Sequence, residues 1–281
     1  MRCETVSLYE HYHLDRPEGS RGFLTCLIPD NTPELNANRL HPAILVIPGG
    51  AYVMVSAREA EPIALRFVSQ GYAAFVLNYS VAPVRFPVAL REAAMAMKYI
   101  RENAQELTVN PNMVAAMGFS AGGHLCGTLG TLFDAPEVAD IAPAQIIRPD
   151  ALGLCYPVTI SYGRAHAGSF RNLTGSDPEL TERLSLDRLV RSDMPPVFLW
   201  HTYGDAAVPV MGSMVLGQTL AEHDVPFAME IHRLGGHGLC TADDTTHLSH
   251  RMPIMSKGIF GWEQRMGEFF RECGIKIVDD E

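Results

Sequence analysis

The chain has 281 residues, 47% apolar and 19% charged, a composition expected of an ordinary globular protein with enough chain for a sizeable core. Its formal net charge of −10, with no run of lysine or arginine, argues against nucleic acid or an anionic membrane surface as partner and favours a substrate that is neutral or lacks several phosphates. No stretch approaches the roughly 18 apolar residues of a membrane helix. Residues 1–16 carry charge throughout, so no signal peptide is expected, and the six scattered cysteines point to free thiols in a cytoplasmic setting.

The predicted elements alternate between strand and helix. "ETVSLYEHYHL" and "RGFLTCLIPD" read as two early strands, the second ended by Pro29. "HPAILVIPGG" is a continuous apolar run closed by glycines, the pattern of a strand buried on both faces. A helix over "EAEPIALRFVSQG" stops at Gly71 and leads into a second buried strand, "YAAFVLNYS". In "PVALREAAMAMKYIRENAQEL", Pro87 opens a helix in which Leu90, Ala93, Ala94, Met97 and Ile100 share one face, while Arg91, Glu92, Lys98 and Arg101 fall elsewhere.

"MVAAMGF" is then a strand running into Ser120, and "AGGHLCGTLGTLF" a helix leaving it. Two more buried strands, "DALGLCYPV" and "PPVFLWHTYG", precede the helix "VMGSMVLGQTLAEHDV" and a last strand in "PFAMEIHRLGGHG". The C-terminal segment sets Trp262, Met266, Phe269, Phe270 and Cys273 on one helical face. This alternation predicts a mostly parallel sheet covered on both sides, in one α/β domain spanning 1–281. Residues 131–196 are the least regular and are expected to form a small lid or pocket wall.

Gly118-Phe119-Ser120-Ala121-Gly122 spells G-x-S-x-G at a strand-to-helix turn. Small residues must flank a serine in so tight a turn. The following helix aims its free N–H groups and positive dipole end at the serine oxygen. A hydroxyl needs a base to attack, and the base needs an acid to orient it. Asp205 follows one buried strand and His237 lies in a Gly-rich loop after the last, so both are expected beside Ser120 at the C-terminal ends of the sheet.

Other residues compete for these roles. His124 is expected to pack on its helix, His201 and His232 to lie in or at the ends of strands, and His223 on a helix. His166 is read as lining the pocket. Asp177, Asp187 and Asp193 are less well placed than Asp205 for the acid. Backbone N–H groups of Gly50, Ala51 and Ala121 are the expected oxyanion donors, because "VIPGGAYVM" follows the third strand where such groups converge. Loops around Tyr52, Tyr79 and His166 are expected to contact substrate.

Metal readings are weak. His11 and His13 would share a strand face, and His247 and His250 a helix face, but neither pair has a carboxylate or cysteine at zinc spacing. Glu59 and Glu61 in "REAEP" read as solvated or salt-bridged carboxylates, not as a glycosidase pair.

"GFSAGGHL", "REAEPIALRF", "GYAAFVLNYSVAP", "DALGLCYPV", "DAAVPV" and "GGHGL" together resemble the α/β-hydrolase superfamily, and within it the carbohydrate acetylesterases, xylan esterases and lipase/esterase-like proteins. The resemblance implies an α/β-hydrolase fold and a serine esterase acting through Ser120, His237 and Asp205, with no metal or organic cofactor. Its expected substrate is a short acyl ester, acetyl above all, of a sugar such as a xylo-oligosaccharide. One departure stands out: Pro48-Gly49-Gly50-Ala51 occupies the place where many relatives carry His-Gly-Gly-Gly. A broad carboxylesterase is the alternative. A peptidase is less favoured, no propeller-like stretch being recognisable. A non-catalytic binding protein is less favoured too, since the serine, the histidine and the oxyanion glycines are all present.

Overall fold

The computed structural model describes residues 1–247 and 254–277. The apolar runs assemble into one eight-stranded sheet made of β1 (Arg2–Ser7), β2 (Phe23–Ile28), β3 (His41–Ile47), β4 (Ala73–Asn78), β5 (Val109–Phe119), β6 (Leu152–Cys155), β7 (Val197–Thr202) and β8 (Phe227–His232). Their order is β1-β2-β4-β3-β5-β6-β7-β8. β1 and β2 pair antiparallel, as do β2 and β4, and every other neighbouring pair is parallel. This is the α/β-hydrolase fold.

Ten helices accompany the sheet: α1 (Leu8–His11), α2 (Glu61–Val68), α3 (Val88–Glu102), α4 (Ser120–Thr131), α5 (Ala144–Ile147), α6 (Ala167–Thr174), α7 (Pro178–Arg183), α8 (Leu186–Leu189), α9 (Met211–Glu222) and α10 (Trp262–Glu272), counted among the described residues. The parallel core strands need both faces covered, and their sequence supplies for it. All seven residues of β3 are buried. Leu45 and Ile47 join one core with Leu90 and Met97 of α3, Leu125 of α4 and Leu216 of α9. Ile44 and Val46 join the other, with Phe67 of α2 and Trp262, Met266 and Phe270 of α10. The strand's two-residue period thus feeds two cores at once.

Where sequence and structure part, buried polar groups or local caps are responsible. "ETVSLYEHYHL" is strand only to Ser7, whose side chain accepts the N–H of Glu10 and starts α1. His11 therefore ends a short helix and His13 follows with a left-handed backbone, so the two share no strand face. Glu92 and Arg101 of α3 are buried rather than solvated. Glu92 accepts from Ser80 N–H (2.6 Å), Ser80 O–H (2.5 Å) and Tyr9 O–H (3.1 Å). Arg101 donates to the carbonyls of Pro111, Ile146 and Arg148 and pairs with Asp150 at 3.0 Å.

The interval 131–196 contains α5, β6 and then α6, α7 and α8, joined by turns. Among the described residues, no helix is long and apolar enough to cross a membrane.

Candidate active site

β5 delivers its last residue, Phe119, directly to Ser120, where α4 begins. Ser120 has φ +51°, a left-handed conformation that a side chain adopts only under constraint, at about 1–3 kcal/mol. The constraint is the glycines on either side. A Cβ on Gly118 would fall on the Gly122 carbonyl, and one on Gly122 would fall on the carbonyls of Ile47 and Pro48. β3 can therefore end against the turn, and its register with β5 sets Ile47 opposite Gly118.

β7 and β8 bring in the partners. Asp205 lies three residues past the end of β7 and His237 five past the end of β8. His237 Nε2 is 2.9 Å from Ser120 Oγ, and His237 Nδ1 is 2.6 Å from Asp205 Oδ2. The Asp205 carboxylate is fully buried, while the His237 ring remains one-quarter exposed toward the cavity. Tyr156 packs edge-on against that ring, with centroids 5.1 Å apart.

Four donors surround Asp205. Its Oδ1 accepts the backbone N–H groups of Ala207 (2.9 Å) and Val208 (2.8 Å). Its Oδ2 accepts from His237 and also from His201 Nε2 at 3.2 Å. Burial alone would raise this carboxyl. The hydrogen bonds from His201 and His237, the charge of His237 and the Val208 N–H outweigh it and hold the group well below the usual carboxylate range. It is an anion throughout the pH range in which an imidazole titrates.

The loop after β3 faces the same turn. Gly50 has φ +128° and Ala51 φ +54°, and the Gly50 carbonyl is turned back to accept N–H bonds from Val53 (2.9 Å) and Met54 (3.1 Å). Asn172 Nδ2 holds the Ala51 carbonyl at 2.8 Å. Gly50 and Ala51 line the cavity beside Ser120; Ala121 is buried at the start of α4, where its N–H has no partner one turn back.

Tyr52 and Tyr79 do not stand where substrate contact requires. Both are buried behind the loop, at 2% and 0% exposure, and neither lines the cavity. Tyr52 has φ +57°, which turns its ring inward, and its hydroxyl lies 2.8 Å from His124 Nδ1. Tyr79 donates to the Pro48 carbonyl at 2.8 Å and so braces the loop from below.

The cavity itself measures about 550 Å³. Ser120, His237, Gly50 and Ala51 line it together, and Val53 and Met54 give it an apolar, half-exposed edge. His166 lines it too, capping α6 with Nδ1 facing the Ser169 N–H and hydroxyl. Burial, reinforced by the nearby His237 charge and opposed by Asp205, pushes His166 below the ordinary imidazole value. It presents a neutral ring.

Four participants escaped sequence reasoning. Glu59, expected to be solvated or salt-bridged, is 4% exposed and lines the cavity, with burial pushing its carboxyl up against hydrogen bonds from Tyr156 and Gly49. Arg58 lines it too, and Tyr156 and His201 stand behind the reactive groups. The only sequence signals were the proximity of "RE" to the oxyanion loop and a histidine four residues before Asp205. Among the described residues, no group of three or more His, Cys, Asp or Glu side chains could hold a metal ion. His247 is described; its proposed partner His250 lies outside the described residues.

The acetyl ester-xyloside bifunctional hydrolase of Caldicellulosiruptor lactoaceticus superimposes with a TM-score of 0.82 and 35% identity, covering 98% of each chain. The chain belongs to the α/β-hydrolase esterases. Two curated relatives carry names linked to xylan. Endo-1,4-beta-xylanase B of Butyrivibrio fibrisolvens is 39% identical over 72% of this chain and 33% of its own length. Acetylxylan esterase of Xylanibacter ruminicola is 30% identical over 75% of this chain and 41% of its own. The chain thus spans 33% and 41% of the length of those two relatives. Of the family models, BD-FAE matches residues 31–144, and that of the prolyl oligopeptidase family matches 91–253, the stretch carrying Ser120, Asp205 and His237.

Proposed function

We propose that the protein is a serine esterase that removes short acyl groups, chiefly acetyl, from carbohydrates such as xylo-oligosaccharides. The observation that carries the chemistry is the relay Ser120 Oγ to His237 Nε2 (2.9 Å) and His237 Nδ1 to Asp205 Oδ2 (2.6 Å), opening into a cavity beside Gly50 and Ala51.

In this reading Ser120 Oγ attacks the ester carbonyl as its proton passes to His237 Nε2. Asp205 fixes the imidazole tautomer and stabilises the imidazolium. The N–H groups of Gly50, Ala51 and Ala121 take up the negative charge on the carbonyl oxygen, each such donor contributing about 3–4 kcal/mol at the transition state. The C–O bond to the sugar breaks as His237 returns the proton to the departing oxygen. Water, deprotonated by the same histidine, then releases the acid and restores Ser120.

The carbohydrate assignment draws its support from the names of the relatives, one an acetylxylan esterase and one an acetyl ester-xyloside hydrolase. A broad carboxylesterase is the second reading, favoured by the apolar edge that Val53 and Met54 give the cavity. A cytoplasmic location belongs to the same proposal and is supported by six cysteines that all stand as free thiols.

The test is acetate release from acetylated xylo-oligosaccharides at pH near 8, comparing the wild type with Ser120→Ala. Release that vanishes in the variant is expected. Activity on aryl acetates without release from the sugar would reject the carbohydrate assignment while keeping the esterase. Cleavage of a prolyl peptide substrate, with no ester turnover, would replace the esterase by a peptidase.

A further inference from the structure

The buried carboxylate of Glu59 lies outside the relay, yet it touches both loops the chemistry depends on. Its Oε2 accepts the backbone N–H of Gly49 at 2.8 Å, immediately before Gly50. Its Oε1 accepts the hydroxyl of Tyr156 at 2.7 Å. The Tyr156 oxygen in turn accepts the N–H of Cys240 at 3.1 Å, three residues beyond His237, and its ring packs edge-on against His237. The neighbouring Arg58 anchors the same His237 loop through the carbonyls of Gly238 (2.8 Å) and Thr246 (2.6 Å).

We propose that Glu59 is a positioning residue that fixes the oxyanion loop in register with the loop carrying His237. The proposal rests on the esterase reading above. A carboxylate suits the task because its two oxygens can each serve a different loop, whereas an amide offers only one acceptor. The site has no slack: a Cβ on Gly49 would lie 2.7 Å from Glu59 Oε2 and 2.8 Å from the Phe119 carbonyl. Removing the carboxylate leaves the Gly49 N–H and the Tyr156 O–H without their buried acceptor, so both loops are released together. Donors displaced from the developing oxyanion stabilise the transition state less, while ground-state binding of the ester is largely kept.

The test compares Glu59→Ala, Glu59→Gln and Tyr156→Phe with wild type and Ser120→Ala on an aryl acetate at pH near 8, measuring kcat and KM separately. Inhibition by a small boronic acid, which forms a charged tetrahedral adduct on serine, is measured alongside. Glu59→Ala is expected to lower kcat/KM by about 100-fold, nearly all in kcat, and to weaken the boronate by a similar factor. Glu59→Gln, retaining one acceptor, should recover roughly tenfold of that loss, and Tyr156→Phe should fall about tenfold below wild type. A folded Glu59→Ala within threefold of wild type, or one whose loss lies in KM with boronate affinity intact, would overturn the proposal. If Glu59→Ala does not fold, Glu59→Gln and Tyr156→Phe decide it by the same two readouts. A wild type inactive on every ester, and no better than Ser120→Ala, would instead remove the esterase reading, and this inference with it.

Discussion

His201 Nε2 stands 3.2 Å from Asp205 Oδ2, the oxygen that also receives His237. The ring is fully buried; the same nitrogen faces the Val208 carbonyl at 2.9 Å, and Nδ1 lies 2.7 Å from the Ser213 hydroxyl. Nε2 thus faces two acceptors and carries the proton, leaving Nδ1 to accept from Ser213. His201→Ala leaves Asp205 one donor short and opens a polar cavity. We expect a stability loss of about 2–4 kcal/mol in urea unfolding and a fall in kcat of roughly tenfold. Unchanged stability would refute this account of His201.

Asp205→Asn should be far more damaging to turnover than to folding. Backbone N–H groups of Ala207 and Val208 fix which side of the residue must be an oxygen, so the amide nitrogen is driven toward His237 Nδ1. The imidazole then has to flip tautomer, which points an N–H at Ser120 instead of a lone pair. A loss of about 10⁴-fold in kcat is expected, with KM nearly unchanged, measured on an aryl acetate.

The convergence of Ser120, Asp205 and His237 was expected from the sequence because each sits at or just after the C-terminal end of a strand. Strand order in a parallel sheet gathers such ends without knowledge of side-chain packing. The mostly parallel sheet was legible for the same reason, from runs such as Ala43–Ile47. What the sequence concealed are partnerships between distant polar groups. Glu59 and Tyr156 are 97 positions apart, and nothing in "REAEP" announces a phenol waiting to be satisfied. Glu92 reads as one more charge on a helix until Ser80 and Tyr9 close over it. Tyr52 was misplaced for a different reason: its left-handed backbone reverses the side chain's direction, and periodicity carries no information about that.

The oxyanion loop makes an asymmetric prediction. Gly50→Ala would drive a methyl group into the Met54 carbonyl at a backbone conformation that side chains rarely adopt, so kcat should fall by about 10²–10³-fold. Ala51→Gly, at φ +54°, removes a methyl group and relieves the backbone, so activity within about threefold of wild type is expected. Steady-state kinetics of the two variants side by side provides the check.

Acid stability should depend on His124. Burial, against its hydrogen bond to the Leu184 carbonyl, pushes this imidazole from 6.5 down to about 4. Between those values the unfolded chain binds a proton that the folded one refuses, so stability is full above pH 6.5 and declines as pH falls toward 4. The decline attributable to this group is roughly 3 kcal/mol, and His41, also pushed down by burial, adds in the same direction. His124→Gln should be less stable at pH 8 yet lose less between pH 6.5 and 4, as urea midpoints at several pH values will show. A slope equal to that of wild type would exclude His124 as its source.

His166 should influence binding more than chemistry. It is a neutral ring on the cavity wall, held by Ser169 and hydrogen-bonded to neither Ser120 nor Asp205. His166→Ala is expected to raise KM for an acylated sugar severalfold, with kcat within about threefold. A collapse of kcat comparable to that of His237→Ala would reassign the base.

His166, α6 and Asn172 all belong to the interval between β6 and β7, whereas Ser120, Asp205 and His237 are set by β5, β7 and β8. The interval between β6 and β7 thus adds one side chain, His166, to a cavity otherwise lined by Ser120 and by the loops after β3, β7 and β8. That interval begins and ends on adjacent parallel strands, so its outer part, α6 to α8, can vary without redrawing the sheet. It is tied to Ser120 and its neighbours by Asn172 Nδ2 on the Ala51 carbonyl, by the Val158 N–H on the Ser120 carbonyl at 2.9 Å, and by Tyr156 between Glu59 and the His237 loop. A graft there that keeps Tyr156, Val158 and Asn172 alters the wall around His166 and leaves Ser120 and His237 held as they are; one that drops Asn172 frees the Ala51 carbonyl.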